Sequence, residues 1–185
     1  MRILQIIYSI SLLILPVVAR LGDLKEKEKI SEPHITGKFV QIYNSKFVDE
    51  TSEIDWNCVS VNITNHNNTF LIEKNGFLHK QPNIPASSSK MYELEHKNNT
   101  WNLIPKSKIG VVSPILEIKF INNDDDILNY MILTGKDNLT MFLFATNYTN
   151  FVKKYENEAK KKFNEFKFNS YYKYPKSTYG SGCDM

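Results

Sequence analysis

The sequence predicts a mostly-β protein, an eight-stranded antiparallel up-and-down β-barrel with one α-helix packed on its outside. Short runs rich in β-branched and aromatic residues recur between positions 37 and 147, each bounded by Asn, Asp, Pro or Ser. The turns between them are short, with no long crossover, which favours a barrel of sequential hairpins over a sandwich. After position 148 the spacing of apolar residues changes from two to about 3.6, which indicates a helix.

The composition is that of one globular domain. The chain has 185 residues, of which 42% are hydrophobic and 23% are charged, which excludes a disordered chain or a repeat array. The net charge of +3 is spread along the chain. Nucleic acid is therefore not an expected partner, because a nucleic-acid-binding surface concentrates positive charge in one patch.

The amino-terminal segment has the pattern of a secretion signal. Residues 1–19 (MRILQIIYSISLLILPVVA) carry one charge, then an apolar run, then a proline and small residues at the expected cleavage site. The alternative is an uncleaved membrane anchor, but the run is shorter than the roughly 20 residues that a spanning helix needs. No stable membrane span is expected, and residues 20–36 are a polar lead-in to a secreted, extracellular protein.

Two cysteines and five glycosylation sequons agree with secretion. Cys58 and Cys183 are an even number of cysteines, as is usual in an oxidising compartment. If they pair, the bridge stabilises the fold by about 4–5 kcal/mol in the chain-entropy model; two free thiols are the alternative. The candidate glycosylation sites, of which we expect only some to be occupied, are Asn62, Asn67, Asn98, Asn138 and Asn147.

The barrel is predicted over residues 37–147. Alternation indicates which way its strands face: Val59, Val61 and Ile63 alternate with polar residues, so one face of that strand is buried and the other meets water. The eight strands are expected at 37–47, 56–64, 69–79, 89–97, 101–107, 115–121, 130–136 and 139–147.

The last predicted strand is apolar on both faces and needs a cover. Residues 148–166 supply it as one C-terminal helix, capped by Asn147 or Thr149. Residues 167–185 are expected to form a short aromatic edge strand, ended by Pro175, and a tail. The apolar stripe of the helix is Phe151, Tyr155, Ala159, Phe163 and Phe166.

Three segments together resemble the motifs of the lipocalin family. Residues 36–43 (TGKFVQIY) are similar to the opening Gly-x-Trp motif and its first strand, residues 126–130 (DILNY) to the second motif, and residues 139–147 with the following helix to the third. The resemblance covers residues 33–183, the predicted lipocalin domain. It implies a cup-shaped barrel, or calyx, that binds and transports a small hydrophobic ligand.

One further likeness and two departures concern single positions. Residues 56–61 (WNCVSV), with a second cysteine near the terminus, are similar to the apolipoprotein D and bacterial-lipocalin branch, which implies a disulfide in that place. The tryptophan of the first family motif is Phe39 here, and the arginine of the third falls at Thr146 or Asn147. The cation–π contact that these two residues make in the family cannot form, so the barrel base is expected to close differently.

The predicted ligand site is the barrel interior, without a cofactor or metal. Gln41, Tyr43 and His96 are expected to supply polar groups to a ligand with one polar end, such as a fatty acid, sterol, retinoid or pigment. A packed core without a ligand is the alternative. The side chains expected to face inwards are Phe39, Gln41, Tyr43, Val59, Val61, Ile63, Leu116, Ile118, Phe120, Phe142 and Phe144, with Tyr92, Leu94 and His96 near the open end.

No catalytic or metal-binding set is predicted. Residues 124–126 (DDD) lack the ligand spacing of a calcium loop, and no Gly-x-Ser-x-Gly motif occurs. The four histidines also lack the spacing of metal ligands: His34, His66, His79 and His96.

Two alternatives to a non-enzymatic carrier stay open. One lipocalin branch isomerises prostaglandins with a pocket thiol, and Cys58 is the candidate for that role. A secreted glycoprotein could instead use the same scaffold to engage a receptor or host protein through its loops. Glycans clustered around the open end would favour this second alternative, because they would obstruct ligand entry.

Overall fold

The computed structural model describes residues 32–106, 113–124 and 127–183. The predicted signal peptide, most of the lead-in and positions 125–126 of the acidic turn lie outside the described residues. Within this part of the chain, no helix is long and apolar enough to cross a membrane.

The described residues form one antiparallel sheet and three α-helices. The strands are β1 (Gly37–Ser45), β2 (Trp56–His66), β3 (Thr69–Leu78), β4 (Gln81–Lys97), β5 (Thr100–Pro105), β6 (Leu116–Asp124), β7 (Ile127–Gly135), β8 (Met141–Ala145) and β9 (Pro175–Ser177). The helices are α1 (Lys46–Thr51), α2 (Tyr148–Lys154) and α3 (Glu156–Glu165), and Ser181–Cys183 form a 3₁₀ turn.

The sheet closes into a barrel. Strands β2 to β8 pair in sequence order, β8 pairs with β1, and β1 pairs back with β2. Phe39 lies opposite Val61 on one side of β1, and Val40 lies opposite Ala145 on the other. The predicted eight-stranded up-and-down barrel is confirmed, as is a C-terminal helical segment after it.

The interior is filled at one end by apolar side chains. Ile35 and Phe39 are buried there together with residues from β2, β3, β5 and β7. Thr146 bonds to the carbonyl of Asn129, and Asn147 accepts a hydrogen bond from the Asn150 backbone at 2.8 Å. The base therefore closes by apolar packing around Phe39, with Asn147 as the N-cap of α2.

A second core lies between the outer face of the barrel and the C-terminal helices. Met141, Leu143 and Ala145 of β8 pack there with Phe151 and Phe163, while the alternate residues of β8 face the barrel interior. The predicted single helix is two, α2 and α3, which meet at Tyr155.

The carboxyl-terminal strand begins later than expected. Residues 168–174 form turns rather than an edge strand, and the strand runs over Pro175–Ser177. Proline is tolerated as the first residue of a strand because its missing N–H removes no ladder bond there. This strand takes the edge of β1 that β2 leaves free, with Tyr43 opposite Ser177.

Cys58 and Cys183 form a disulfide with their Cα atoms 5.1 Å apart. Cys58 lies at a bulge of β2 with φ of 52°, and its N–H donates to the Thr178 carbonyl at 2.8 Å. Across the bulge, a Cβ on Gly76 would come within 2.9 Å of the Asn57 carbonyl oxygen. The bulge, the glycine and the bridge together fasten the tail to β2.

Candidate functional site

A cavity of about 580 Å³ occupies the end of the barrel opposite the packed base. Its mouth lies between α1 with the residues after it, the segment 113–116, and the β7–β8 turn at 136–140. The volume falls within the range of roughly 300–1,000 Å³ that is usual for small-molecule sites.

The wall of this cavity is mostly apolar with a charged group set into it. The aromatic rings come from α1, β4 and β8, and aliphatic side chains come from β3 and the segment before β6. The lining residues are Phe47, Thr51, Ser52, Glu53, Ile72, Lys74, Ser88, Lys90, Tyr92, Ser113, Pro114, Ile115, Leu116, Lys136, Asp137, Thr140, Phe142 and Phe144.

The charged group is a buried ion pair between Lys74 of β3 and Glu53 of the loop after α1. Lys74 Nζ lies 2.6 Å from Glu53 Oε1, with side-chain exposures of 8% and 7%. Gln41 of β1 joins both partners, since its Oε1 accepts from Lys74 at 2.8 Å and its Nε2 donates to Glu53 Oε2 at 2.7 Å.

Two aromatic rings lie beneath the ammonium group. Lys74 Nζ is 3.5 Å from the ring centroid of Phe142 and 5.2 Å from that of Phe144. The negative face of an aromatic ring attracts a cation, and more strongly away from water. The lysine is thus held by a carboxylate, an amide oxygen and a ring face in the cavity wall.

Burial and the ion pair act on the ionisation of both partners. Burial would raise the pKa of the Glu53 carboxyl, but the Lys74 charge and the hydrogen bonds from Gln41, Lys74 and Asn44 outweigh it and lower that pKa. Burial lowers the pKa of Lys74, and the charge of Lys90 acts in the same direction, while Glu53 opposes them. Burial also raises the pKa of the nearby Tyr92 hydroxyl to about 12.

The loop that carries Glu53 is fastened to the carboxyl-terminal segment. The Glu53 N–H donates to the Val48 carbonyl at 2.9 Å. The Lys46 N–H donates to the Tyr174 carbonyl at 3.0 Å, and Lys176 Nζ bonds to Asp49 Oδ2 at 2.5 Å. The position of Glu53 therefore depends on the tail that the disulfide fixes.

The β7–β8 turn forms the opposite rim. Asp137 Oδ1 accepts from the backbone N–H groups of Leu139 and Thr140, both at 2.8 Å, and its Oδ2 accepts from the Thr140 hydroxyl at 2.7 Å. A Cβ on Gly135 would lie 2.6 Å from Asp137 Oδ1. Glycine is thus required for this turn to close on itself.

Of the sequence-predicted pocket residues, 11 face the barrel interior, in three groups. Four of them line the cavity: Tyr92, Leu116, Phe142 and Phe144. Gln41 is buried behind the ion pair. The others that face inwards pack around or below the cavity in the inner core: Phe39, Val59, Val61, Ile63, Leu94 and Ile118.

The inward orientation expected for Tyr43 and Phe120 is wrong, because each strand bulges just before that residue. The registers of β1 and β6 shift between Gln41 and Tyr43 and between Ile118 and Phe120, and one extra residue moves the following side chain to the other face. Both rings pack in the outer core; Tyr43 contacts Phe163 edge-on at 5.6 Å between centroids.

His96 is also wrongly placed by the alternation of β4. It is exposed beside the β4–β5 turn, at the packed end of the barrel, and its ring lies tilted by 45° against that of Trp101, at 4.7 Å between centroids. The other three histidines are exposed as well, and the described residues hold no group of three His, Cys, Asp or Glu placed to bind a metal.

Sequence reasoning missed the ion pair at the centre of the site. Phe70 and Ile72 are buried on β3 and Lys74 continues the same alternation, so strand periodicity could have placed its side chain inside. Glu53 lies in a loop and carried no such signal.

The remaining predicted positions fall away from the cavity, apart from one glycosylation sequon. Cys58 is bonded to Cys183 and provides no free thiol. Asn67, Asn98 and Asn147 are exposed at the packed end of the barrel, and Asn62 lies on β2 beside Glu73. Asn138 alone among the five sequons is exposed beside the cavity mouth.

Comparisons with known proteins find likeness in structure. No family model and no curated protein matches the sequence. H1 crustacyanin from the lobster Homarus americanus superposes with a TM-score of 0.50 and 15% identity, over 88% of this chain and 87% of that chain. Lobster apocrustacyanin A1 gives a TM-score of 0.48 and 15% identity, over 80% of this chain and 79% of that one. Japanin from Rhipicephalus appendiculatus, in a structure bound to cholesterol, gives a TM-score of 0.49 and 14% identity, over 80% of this chain and 95% of that one.

H1 crustacyanin is a lipocalin, and the likeness to its structure shows that this chain has the lipocalin fold. The fold expected from the sequence resemblance is therefore confirmed. The comparisons give no support to the apolipoprotein D branch in particular.

Proposed function

We propose that this chain binds and carries a small hydrophobic molecule with one polar end in the cavity of its barrel. The observation that carries the proposal is the cavity of about 580 Å³, whose wall is mostly apolar and whose polar groups converge at Lys74. An empty apolar cavity forfeits dispersion contacts that a guest restores. Each methylene of the ligand that leaves water contributes about 0.8 kcal/mol before entropy losses.

The polar end of the ligand is assigned to the charged side of the cavity. Lys90 and Lys136 line it and have no ion pair with any described residue, and Tyr92 presents a hydroxyl that burial keeps neutral. The sequence predicted Gln41, Tyr43 and His96 as the polar groups of the site. Of these three, only Gln41 stays near the cavity, where its side chain accepts a hydrogen bond from Lys74.

Secretion is part of the proposal. The Cys58–Cys183 disulfide is a bond that persists in oxidising compartments, and four of the five sequon asparagines have exposed side chains. The sequence pattern of residues 1–19 supports the same compartment. Expression with and without this segment, followed by analysis of the culture medium and of glycan masses, tests it.

The two alternative functions receive less support. The pocket-thiol isomerase loses its nucleophile, since Cys58 is in a disulfide. The receptor-binding alternative predicts glycans clustered around the cavity mouth. Three sequons lie at the opposite end of the barrel, and Asn138 is the one near the mouth.

Two neighbouring serines of β4 allow a matched test of ligand binding. Ser88 lines the cavity, whereas Ser89 is exposed on the other side of the strand. In Ser88→Trp the indole fills the cavity, while Ser89→Trp adds the same ring outside. The assay is the fluorescence of an apolar probe, 1-anilinonaphthalene-8-sulfonate, and its displacement by lipid extracts.

We expect the wild type and Ser89→Trp to bind the probe alike and Ser88→Trp to lose at least about tenfold in affinity, or about 1.4 kcal/mol. Equal binding by all three would place the probe elsewhere and contradict the proposal. Native mass spectrometry of secreted material, with a search for a co-purifying small molecule, then identifies the ligand.

A further inference from the structure

Lys74 is a primary amine set into the wall of an apolar cavity. Among the described residues no other lysine is buried. Lys90 and Lys136 line the same cavity, but the first is only partly buried and the second is exposed. Replacing a buried ion pair by apolar residues of similar volume is often neutral or stabilising. Stability therefore does not explain why β3 carries a lysine at this point.

The surroundings of Lys74 suit an amine that reacts in its neutral form. The charged groups that face it are Glu53 at 2.6 Å and Lys90, and Tyr92 lies near Glu53. Burial and the Lys90 charge lower the pKa of Lys74, and Glu53 Oε1 lies within reach of its proton. A carboxylate in hydrogen-bond contact with a buried amine is the arrangement that general acid–base catalysis of addition to a carbonyl requires.

We propose that Lys74 captures an apolar aldehyde in the barrel cavity as a reversible imine. This inference rests on the proposed function, because the aldehyde must first occupy the same cavity. It deepens that function by naming the chemical class of the ligand.

The reaction balances without any oxidant or reductant. The Lys74 ammonium gives one proton to the Glu53 carboxylate, and the neutral Nζ adds to the carbonyl carbon, so that a C–N bond forms as the carbonyl π bond breaks. One Nζ proton then moves to the carbonyl oxygen, which gives the neutral carbinolamine. Its hydroxyl takes the proton back from Glu53, the C–O bond breaks, and one water leaves. The products are a protonated imine on Lys74, the Glu53 carboxylate and water.

The same contacts that hold the ammonium would hold the imine. Its positive charge stays beside Glu53 and over the face of Phe142, where the ammonium lies 3.5 Å from the ring centroid. The apolar chain of the aldehyde then lies along the rest of the wall, and water excluded by the chain is not available to hydrolyse the bond.

The test uses decanal and the full-length protein. After incubation at pH 7, sodium cyanoborohydride reduces any imine to a stable secondary amine, and peptide mass mapping locates it. We expect Lys74 to be labelled at least about tenfold faster than the exposed lysines, because burial lowers the pKa of its ammonium group and the cavity holds the aldehyde beside it. Displacement of the fluorescent probe by 1-decanol, which cannot form an imine, measures occupancy of the cavity separately.

Three variants separate chemistry from folding. Lys74→Arg keeps the charge beside Glu53 but cannot form an imine, and Lys74→Met removes the charge. Lys106→Met is the control, because Lys106 is an exposed lysine that does not line the cavity. Labelling of the peptide that contains position 74 should vanish in both Lys74 variants and persist in Lys106→Met.

The outcomes are distinguishable. If decanol displaces the probe but decanal labels only exposed lysines, the imine proposal is overturned and the proposed function stands. The same holds if peptide mapping places the selective adduct on a lysine other than Lys74. If neither decanol nor decanal displaces the probe, both proposals fail.

Discussion

Replacement of Lys74 by methionine should destabilise the fold in a way that depends on pH. The Lys74→Met variant removes a cation that lies 2.6 Å from a carboxylate of 7% exposure. Glu53 is then left charged inside the protein, and a buried carboxylate without a partner takes up a proton instead. Methionine is close to lysine in length and fits apolar surroundings, so packing contributes little to the effect.

The cost follows from the proton that Glu53 must take up. The ordinary pKa of this carboxyl is 4.5, and protonation at pH 7 costs about 1.36 kcal/mol for each of about 2.5 pH units, or roughly 3.4 kcal/mol in all. Above pH 4.5 the folded variant holds one proton more than its unfolded chain, so its stability falls as the pH rises. The cost should therefore shrink to about 0.7 kcal/mol at pH 5.

Urea denaturation followed by tryptophan fluorescence at pH 5, 6 and 7 measures this dependence. The matched control is Lys106→Met, because Lys106 Nζ lies 2.6 Å from Glu93 Oε1 but the two side chains are 37% and 56% exposed. An exposed pair contributes about 0–1 kcal/mol, and its loss leaves no buried charge. Equal effects of the two variants, or a cost of Lys74→Met that is constant from pH 5 to 7, would refute the reasoning.

Three other changes test the remaining parts of the fold. The Cys58→Ser, Cys183→Ser double variant opens a loop with a sequence separation of 125 and should lower the free energy of unfolding by about 4–5 kcal/mol in urea denaturation; a loss below about 1 kcal/mol would contradict the fastened tail. Phe151→Ala, at a ring 1% exposed, should cost about 3–5 kcal/mol, against about 0.5 kcal/mol or less for the exposed neighbour in Val152→Ala. Because the pKa of Glu53 is lowered on folding, its stabilisation is complete above pH 4.5 and is lost as the pH falls through the folded-state pKa. The wild type should therefore lose its advantage over Glu53→Gln as the pH is lowered below 4.5 in urea denaturation, and a difference that stays constant would show that Glu53 does not titrate on unfolding.

Most of the fold could be predicted from local patterns of apolar residues in the sequence. Val59, Val61 and Ile63 lie inside the barrel as their alternation predicts, since the side chains of a strand point to opposite faces in turn. The change of period after β8 predicted the helical cover over Met141 and Leu143, which the structure confirms.

The same alternation failed where a bulge interrupts a strand. Tyr43 and Phe120 lie in the outer core because β1 and β6 each gain one residue against their neighbours. A bulge is fixed by pairing with another strand, so no pattern within β1 or β6 alone announces it.

The sequence by itself determined the strand order, the C-terminal helices and the apolar interior, because periodicity within a segment decides which side chains avoid water. Only the tertiary structure decided the chemistry of the cavity. The ionisation of Lys74 on β3 depends on Glu53, which lies in the loop after α1. Its ammonium group also lies over the ring of Phe142 on β8, a strand that is not a neighbour of β3 in the sheet. Charge, burial and hydrogen bonding act through space, so the properties of such a group arise when the barrel closes.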